Sequence, residues 1–257
     1  MDPRTLFARD GAVATAWITL DSSFAAEVAA HAGYDAVTVD VQHGAFGLDT
    51  AIRLLHVLSA GPALSMARCS ANDPVEIGKL LDAGAQGLIC PLVDTADDCA
   101  AFVAACRYPP AGGRSYGPSR GLLPGAEGYL DRAATVMTWA MVETRAALDD
   151  LAAIVAVDGL DGVFVGPNDL SFALGRTPVA GSLDPEVAEA VGAVVDAAHA
   201  AGRLAGIFAT SGELARGFAE RGFDLVAPGN DAGLLRAAAV ASVAEVRGAA
   251  RPGSGGR

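Results

Sequence analysis

Short runs of apolar and β-branched residues alternate along the chain with longer stretches rich in alanine and leucine. The short runs are bounded by glycine, proline or polar residues, as buried strands are. They predict eight strands: Val13–Leu20, Ala36–Val41, Ala63–Arg68, Gly87–Leu92, Val136–Glu143, Gly162–Val165, Leu204–Phe208 and Leu225–Ala227. The stretches between them predict helices, among them Ser23–Ala32, Pro74–Ala83, Ala96–Arg107, Arg145–Val155, Pro185–Ala201, Gly212–Arg221 and Gly233–Gly248.

The alternation repeats a single unit, in which a helix ends on glycine and a buried strand follows. Ala83-Gly84 and Ala201-Gly202 are two examples of this helix stop. Strands that alternate with helices require a parallel sheet with right-handed crossovers. Eight units of about 32 residues predict a single (β/α)8 barrel over residues 1–250. An open doubly wound sheet is the alternative, but no G-x-G-x-x-G follows any predicted strand.

One connection breaks the rhythm. Residues 108–134 contain many glycines and prolines, which exclude a regular element, and loops of this length are usually functional. We therefore expect a lid or an inter-subunit arm. The tail over residues 251–257 reads RPGSGGR and is predicted to be disordered.

Composition limits the function classes. The chain has 257 residues, 52% of them apolar, and a formal net charge of −12, which argues against nucleic-acid partners and anionic membrane surfaces. The longest uncharged run has fourteen residues, fewer than the roughly 20 of a spanning helix. The N-terminal residues lack a secretory pattern, and the four cysteines contain no C-x-x-C pair. We expect a cytoplasmic protein whose thiols are reduced packing residues.

Polar residues collect where the predicted strands end. The active face of an α/β barrel lies at those carboxyl ends. The residues at these positions are Asp40, Gln42, His43, Arg68, Glu143, Asn168, Asp169, Asn230 and Asp231. One histidine, one arginine and several carboxylates are therefore expected to share one rim.

Two of these carboxylates suggest a metal site. Glu143 and Asp169 are 26 residues apart, roughly one βα unit, so they should lie on adjacent strands. Two neighbouring carboxylates suit a hard divalent cation such as Mg²⁺ or Mn²⁺. The alternative is a pair of helix N-terminal residues, because acidic side chains favour first turns.

Other titratable residues fall on predicted helices. Asp73 precedes Pro74 and is interpreted as a helix cap. Asp82 lies near the end of a helix, where a negative charge opposes the dipole, and this suggests a partner such as His43. The remaining three histidines are interpreted as helix-surface or packing residues: His31, His56 and His199.

A series of motifs resembles one family over about Trp17 to Leu235. They are W-x-x-L, VDVQHG, MARCSANDP, LLDAGAQGLICPLV, RYPPAGGRS, VETRAAL and VFVGPNDLS, in that order. This series is similar to the HpcH/HpaI aldolases, in particular those that act on 4-hydroxy-2-oxoheptanedioate or 2-keto-3-deoxy sugar acids. The resemblance implies a metal-dependent pyruvate aldolase on a (β/α)8 barrel.

The resemblance also implies roles for particular residues. Glu143 and Asp169 would hold Mg²⁺ or Mn²⁺, or alternatively Co²⁺, and pyruvate would complete the coordination. His43 matches the catalytic base, and Arg68 the arginine that stabilises the enolate oxygen. Asp82 matches the acid that makes this histidine more basic. The amides of Asn168 and Asp169 match the cradle for the pyruvate carboxylate.

The resemblance further implies a homo-oligomer, a hexamer, and the apolar C-terminal helix over Gly233–Ala250 is a candidate for exchange between subunits. Two positions depart from the family pattern. Met141 stands where better-known members have glutamine, and Gln42 stands where they have glutamate. Both departures concern the choice of substrate rather than the class of reaction.

The chemistry of an aldol cleavage agrees with a metal enzyme. The reaction needs a base for the 4-hydroxyl proton and an electron sink at C2, which is either a lysine imine or a Lewis-acid metal. The only lysine, Lys79, is predicted in mid-helix rather than at a strand end. Trp17 and Phe208 are expected to form apolar walls for the aldehyde half.

The sequence leaves two alternative functions. A coenzyme A-thioester lyase of the citrate lyase β or malyl-CoA lyase type would need a basic entrance for the coenzyme's phosphates. The 108–134 connection and its flank could supply one, through Arg107, Arg114, Arg120 and Arg132. A barrel retained only as a scaffold would have lost the carboxylates or the histidine, and all of these are present.

Overall fold

Eight parallel strands close into a barrel in the computed structural model, which describes residues 2–123, 126–179 and 181–248. The strands are β1 (Val13–Ile18), β2 (Ala36–Asp40), β3 (Leu64–Arg68), β4 (Gly87–Cys90), β5 (Met137–Val142), β6 (Gly162–Val165), β7 (Leu204–Ala209) and β8 (Leu225–Pro228). Each strand pairs with the next, and β1 closes the barrel on β8 with Val13 opposite Leu225. The predicted (β/α)8 barrel is thereby confirmed, and the open sheet is excluded.

Helices follow the strands and form the outer layer. They are α1 (Ser23–Ala30), α2 (Leu48–Leu58), α3 (Pro74–Ala83), α4 (Ala96–Cys106), α5 (Tyr129–Ala134), α6 (Arg145–Asp149), α7 (Leu151–Val155), α8 (Pro167–Ala173), α9 (Pro185–Ala200), α10 (Gly212–Glu220) and α11 (Asp231–Gly248). The predicted helix Arg145–Val155 is divided at Asp150 into α6 and α7. The seven residues of the predicted tail, 251–257, lie outside the described residues.

Two apolar clusters make up the core. The smaller cluster fills the barrel interior with large side chains, including Trp17, Met66, Trp139, Met141 and Phe164. The larger cluster lies between the outer face of the strands and the helices. The four cysteines are buried and free, in agreement with a packing role. Burial raises the pKa of Cys106 to about 12, so this thiol stays protonated at neutral pH.

The described residues of the long connection, 108–123 and 126–134, lie at the amino end of the barrel, where the strands begin. The connection follows α4, and a helix in this fold returns the chain to that end. Arg114 pairs there with Asp82 in the last turn of α3, and Arg120 Nη2 donates to Ser59 Oγ at 2.9 Å. The lid hypothesis was therefore wrong for a single chain. The exclusion of regular elements was also wrong, because α5 and the 3₁₀ turn Ser119–Leu122 lie within the connection.

The C-terminal helix α11 differs from the other helices. None of its residues is buried, although it is 18 residues long. Leu235, Val240 and Val246 are 62%, 60% and 76% exposed. Among the described residues, no helix has both the length and the apolarity to cross a membrane.

Candidate active site

A cavity of about 290 Å³ opens at the carboxyl end of the barrel. Its wall combines aromatic and apolar side chains with a few polar groups, which is the usual composition of a small-molecule site. The lining residues are Trp17, Thr19, Asp40, His43, Arg68, Met141, Phe164, Gly166, Pro167, Asn168, Asp169, Phe208 and Asn230. Four of the six predicted site residues are among them: His43, Arg68, Asn168 and Asp169.

A buried ion pair forms one side of the cavity. Arg68, at the end of β3, donates Nε to Asp40 Oδ1 at 2.9 Å and Nη2 to Asp40 Oδ2 at 2.7 Å. Strand register explains this contact, because Asp40 and Arg68 are aligned neighbours at the ends of β2 and β3. The bidentate geometry fixes the plane of the guanidinium, which also lies over the Trp17 ring, 5.1 Å from its centroid.

Asp40 also binds residues other than Arg68. It accepts hydrogen bonds from Trp17 Nε1 at 3.0 Å and from the backbone amides of Gln42 and His43, both at 3.2 Å. Burial acts to raise the pKa of Asp40, but the hydrogen bonds and charge of Arg68 outweigh it and hold the pKa below 3.8. Asp40 is therefore ionised at neutral pH, where it anchors the arginine and the turn carrying His43.

Glu143 lies directly after β5 and is 2% exposed. Its Oε1 accepts a hydrogen bond from the amide of Leu92 at 2.9 Å. Leu92 has a φ of 52°, and within the described ranges it is the one non-glycine residue in the left-handed region. Such a conformation costs energy and is often found at functional sites. Here it directs an amide at the buried carboxylate.

The second Glu143 oxygen faces the turn that carries Asp169. A Cβ atom on Gly166 would lie 2.5 Å from Glu143 Oε2, so any larger residue here would displace the Glu143 carboxylate. Burial raises the pKa of Glu143, the Leu92 amide opposes that shift, and the negative charge of Asp169 adds to it. Asp169 itself is exposed in the first turn of α8. The two carboxylates follow the neighbouring strands β5 and β6, as the one-unit spacing predicted, and the charge of Asp169 acts on Glu143.

This pair suits a divalent cation. One Glu143 oxygen is held by Leu92, the other faces the glycine turn, and carboxylate oxygens are the ligands that Mg²⁺ and Mn²⁺ prefer. Within the described part of the chain, His, Cys, Asp and Glu side chains form no group of three suited to a metal. Two protein carboxylates would then leave several positions for water or substrate, as is common for Mg²⁺.

Asp82 does not join this site in a single chain. It lies in the last turn of α3, at the amino end of the barrel, where its carboxylate pairs with Arg114. His43 follows β2 at the opposite end. The predicted contact between Asp82 and His43 is therefore wrong within one chain, because the helix carries Asp82 away from the strand ends.

Sequence reasoning gave Asp40 no specific role, although it placed this residue on the rim. The signal available was the aligned position of Asp40 and Arg68 at the ends of neighbouring strands. The expected apolar walls are confirmed: Trp17 and Phe208 have their ring centroids 5.5 Å apart at the cavity. Lys79 lies in the middle of α3 and away from the strand ends, as predicted, and its side chain is exposed.

The fold and the site define a barrel enzyme, and comparisons identify its family. The HpcH/HpaI aldolase/citrate lyase family matches residues 14–238. A hydroxypyruvate/pyruvate aldolase of Rhizorhabdus wittichii is 42% identical over 232 residues, 90% of this chain and 92% of the relative. A 4-hydroxy-2-oxo-heptane-1,7-dioate aldolase of Salmonella dublin is 39% identical, over 89% of this chain and 88% of the relative.

Solved structures agree. The crystal structure of an HpcH/HpaI aldolase/citrate lyase family protein from Burkholderia cenocepacia has a TM-score of 0.86 and 32% identity, covering 95% of this chain and 98% of that one. The chain belongs to the HpcH/HpaI aldolase/citrate lyase family. Its motifs predicted this family, and an enzyme that acts on carbon–carbon bonds is thereby supported over a scaffold.

Proposed function

We propose that the protein is a divalent-metal-dependent aldolase that cleaves or forms 4-hydroxy-2-keto acids, with pyruvate as the donor and an aldehyde as the acceptor. One observation carries this proposal. The Asp40-anchored Arg68, the His43 turn and Asp169 line one cavity, and the buried Glu143 lies directly against its Gly166. An arginine, a histidine and paired carboxylates on one rim are the groups that an enolate-forming reaction needs.

Glu143 and Asp169 are the proposed metal ligands, with Mg²⁺ or Mn²⁺ as the cation and Co²⁺ as an alternative. A bound divalent cation acts as a Lewis acid that stabilises negative charge on the C2 oxygen of the substrate. The Leu92 amide holds Glu143 in place through Oε1 and leaves Oε2 directed at the Gly166 turn. This arrangement supports the choice of Glu143 as one ligand.

His43 is the proposed base. It would remove the proton from the 4-hydroxyl of the substrate, after which the C3–C4 bond breaks and the aldehyde leaves. The electron pair of that bond then forms the enolate of pyruvate, which takes up a proton at C3 to give the methyl group. The exposed side chain of His43 at the cavity wall, on a turn fixed by Asp40, supports this role.

Arg68 and the Gly166 turn are proposed to bind the pyruvyl half. The guanidinium is permanently charged and would stabilise the developing oxyanion, a role for which its rigid pairing with Asp40 preorganises it. The amides of Asn168 and Asp169 would bind the pyruvate carboxylate. The aromatic walls, Trp17 and Phe208, would contact the aldehyde.

Met141 is proposed to influence which substrate binds. It is 1% exposed, lies in the interior cluster and lines the cavity beside Gly166. A thioether at this position cannot donate a hydrogen bond, so the adjacent part of the substrate is expected to be apolar. Gln42, the other departure, precedes His43 on the same turn.

A homo-oligomer, with a hexamer as the expected state, belongs to this proposal. Asp82 can reach a His43 side chain only from a second copy of the chain, since the two residues occupy opposite ends of one barrel. The inter-subunit arm proposed for residues 108–134 lies beside Asp82, and the exposed α11 is the proposed exchanged helix. A cytoplasmic location is also proposed, and the buried free thiols support it.

A coenzyme A-thioester lyase receives less support than the aldolase. The arginines considered for the coenzyme's phosphates lie at the amino end and make internal contacts. Arg114 pairs with Asp82, Arg120 donates to Ser59, and Arg107 lies 3.5 Å from Asp161. In one chain they are therefore remote from the cavity entrance.

The proposal is tested by measuring pyruvate release from 4-hydroxy-2-keto acids of varied chain length, with lactate dehydrogenase as the reporter. We expect a chelator to abolish turnover, and added Mn²⁺ or Mg²⁺ to restore it. Glu143→Ala and Asp169→Ala should abolish turnover and weaken metal binding, because one carboxylate is too few. Lys79→Ala is the control and should retain nearly full activity.

Two results would contradict this proposal. Activity that survives exhaustive chelation would remove the metal from the mechanism. A folded Lys79→Ala variant without activity would instead favour an imine mechanism. A protein that is silent on short keto acids but cleaves a coenzyme A thioester would establish the alternative function.

A further inference from the structure

Asp231 is a rim carboxylate that the proposed mechanism does not use. It follows β8 and begins α11, in the sequence Pro-Gly-Asn-Asp. Its side chain reaches across to the loop after β1. Oδ1 accepts from the amide and the hydroxyl of Thr19, at 2.8 and 2.7 Å, and Oδ2 accepts from the amide of Leu20 at 3.1 Å. One carboxylate thus binds three donors of a neighbouring loop.

The loop that Asp231 holds contacts the turn that carries His43. The carbonyl oxygen of Thr19 accepts a hydrogen bond from the amide of Ala45 at 2.8 Å, two residues after His43. On the other side, the amide of His43 donates to Asp40 Oδ1 at 3.2 Å. The turn is tight between these points, because a Cβ on Gly44 would lie 2.2 Å from the Asp40 carbonyl oxygen.

We propose that Asp231 is a positioning residue for His43, acting through the backbone of Thr19 and Ala45. This inference rests on the proposed function, in which His43 is the base. Asp40 fixes the entry to the histidine turn, and Asp231 fixes its exit. A base must lie within hydrogen-bond reach of its proton, and misplacement by about 1 Å can cost about 100-fold in rate.

The chemistry of the contact requires a carboxylate. Three donors face Asp231 from Thr19 and Leu20, and a carboxylate presents two oxygens that only accept. Asparagine has the same shape but would place an N–H₂ group against one of these donors. Alanine would leave all three donors without this partner. The two substitutions should therefore produce graded effects.

The test compares Asp231→Asn, Asp231→Ala and His43→Ala in two reactions of the metal-loaded enzyme. Aldol cleavage needs the base, whereas decarboxylation of oxaloacetate requires no proton from a hydroxyl. We expect Asp231→Ala to lower kcat for cleavage by about 10- to 100-fold and to lower decarboxylation much less. KM should change little, and Asp231→Asn should retain intermediate cleavage activity.

A double variant separates positioning from a general structural effect. If Asp231 acts through His43, Asp231→Ala should cost little further cleavage activity in a chain that already carries His43→Ala. Asp73→Ala is the matched control. Asp73 is an exposed carboxylate at the same end of the barrel that accepts from the Val75 amide, so its loss removes a cap without touching the histidine turn.

Several outcomes would overturn the inference. Asp231→Ala should not lower cleavage and decarboxylation equally, and its fold-loss in cleavage should not multiply that of His43→Ala in the double variant. An Asp231→Ala enzyme as active as the Asp73→Ala enzyme would also overturn the inference, as would a fully active His43→Ala enzyme. The isosteric Asp231→Asn variant keeps the test decisive if the alanine variant does not fold. Failure of the proposed function would look different, because the unsubstituted protein would then release no pyruvate.

Discussion

Asp40 is the residue on which the arginine, the tryptophan and the histidine turn converge. Its carboxylate is 1% exposed and accepts hydrogen bonds from Arg68, Trp17, Gln42 and His43. A buried charge is tolerated only when it is paired and fully hydrogen-bonded, and both conditions hold here. The pair therefore contributes to the shape of the site as well as to the proposed chemistry.

Replacing Asp40 with asparagine should destabilise the protein in a pH-dependent way. Arg68 would lose its counter-charge, and breaking a buried ion pair typically costs about 3–5 kcal/mol. The folded pKa of Asp40 lies below its ordinary value of 3.8, so its stabilising contribution is present above about pH 4 and is lost as the pH falls through the folded pKa.

Thermal melting between pH 7 and pH 3 measures this effect. The difference in Tm between the unsubstituted protein and Asp40→Asn should be largest at neutral pH and should shrink towards pH 3. Asp97→Asn, at an exposed acid in the first turn of α4, is the control. A difference that grows on acidification would mean that the sign of the linkage is wrong.

The roles of His43 and Arg68 are separable by comparing two reactions. His43→Ala should lose about 10²–10⁴-fold in aldol cleavage and retain more of the oxaloacetate decarboxylation, which needs no proton from a hydroxyl. Arg68→Ala should damage both reactions, because both form the enolate whose oxygen the guanidinium would stabilise. Pyruvate release in each assay provides the measurement. Equal losses for His43→Ala, with a harmless Arg68→Ala, would reverse the two roles.

At the scale of elements, the pattern of apolar positions predicted most of the fold. All eight strands are confirmed, with ends shifted by at most two residues, and α3 is confirmed at both ends. Strand ends were predictable because polar residues such as Asp40, Arg68 and Glu143 follow apolar runs directly. The rim was therefore predictable, including five of the six proposed site residues.

The local pattern could not predict the end of the barrel at which a long connection lies, or the residue that a side chain contacts. Residues 108–134 resemble a lid in composition, but their position follows from the end of the barrel at which α4 finishes. Asp82 resembles a catalytic acid in its motif, but three-dimensional placement pairs it with Arg114. The contact between Asp231 and Thr19 could not be predicted either, because the two residues become neighbours only when β8 pairs with β1 to close the barrel.

Substitution of Asp161 tests whether residues at the amino end of the barrel contribute to stability and not to catalysis. Asp161 precedes β6 at the amino end, where Oδ2 accepts from the Thr138 amide at 2.9 Å and Oδ1 accepts from Arg4 Nε at 2.8 Å. Asp161→Ala should lower the free energy of unfolding by about 1–3 kcal/mol, because the buried amide and hydroxyl of Thr138 lose this acceptor. The kcat should stay within about two-fold, since catalysis in this fold belongs to the carboxyl end.

Urea unfolding and pyruvate release, measured on the same samples, check this prediction. Asp158→Ala is the matched control, because Asp158 is an exposed acid in the same loop. It should leave both quantities unchanged. An Asp161→Ala enzyme with normal stability and a large loss of kcat would contradict the assignment of this end to stability.

At the scale of the whole molecule, α11 is the feature that a single chain does not explain. Eighteen residues without one buried side chain gain little from packing on their own barrel, and most helical stability comes from such packing. Leu235, Val240 and Val243 are exposed apolar residues on this helix. In the proposed homo-oligomer, a second copy of the chain would cover these apolar residues.

A single charge on α11 should therefore weaken the assembly. Val240 is 60% exposed in the chain, and Val240→Glu would force a carboxylate into an interface that buries this position. We expect sedimentation velocity to show smaller species for this variant at concentrations where the unsubstituted protein stays assembled. Val75→Glu is the matched control, because Val75 is a 65% exposed valine in the first turn of α3 and should leave the assembly intact. If Val240→Glu sediments as the unsubstituted protein does, α11 is not the contact between copies. If the unsubstituted protein is a fully active monomer at high dilution, the homo-oligomer itself is wrong, and Asp82 has no route to a histidine.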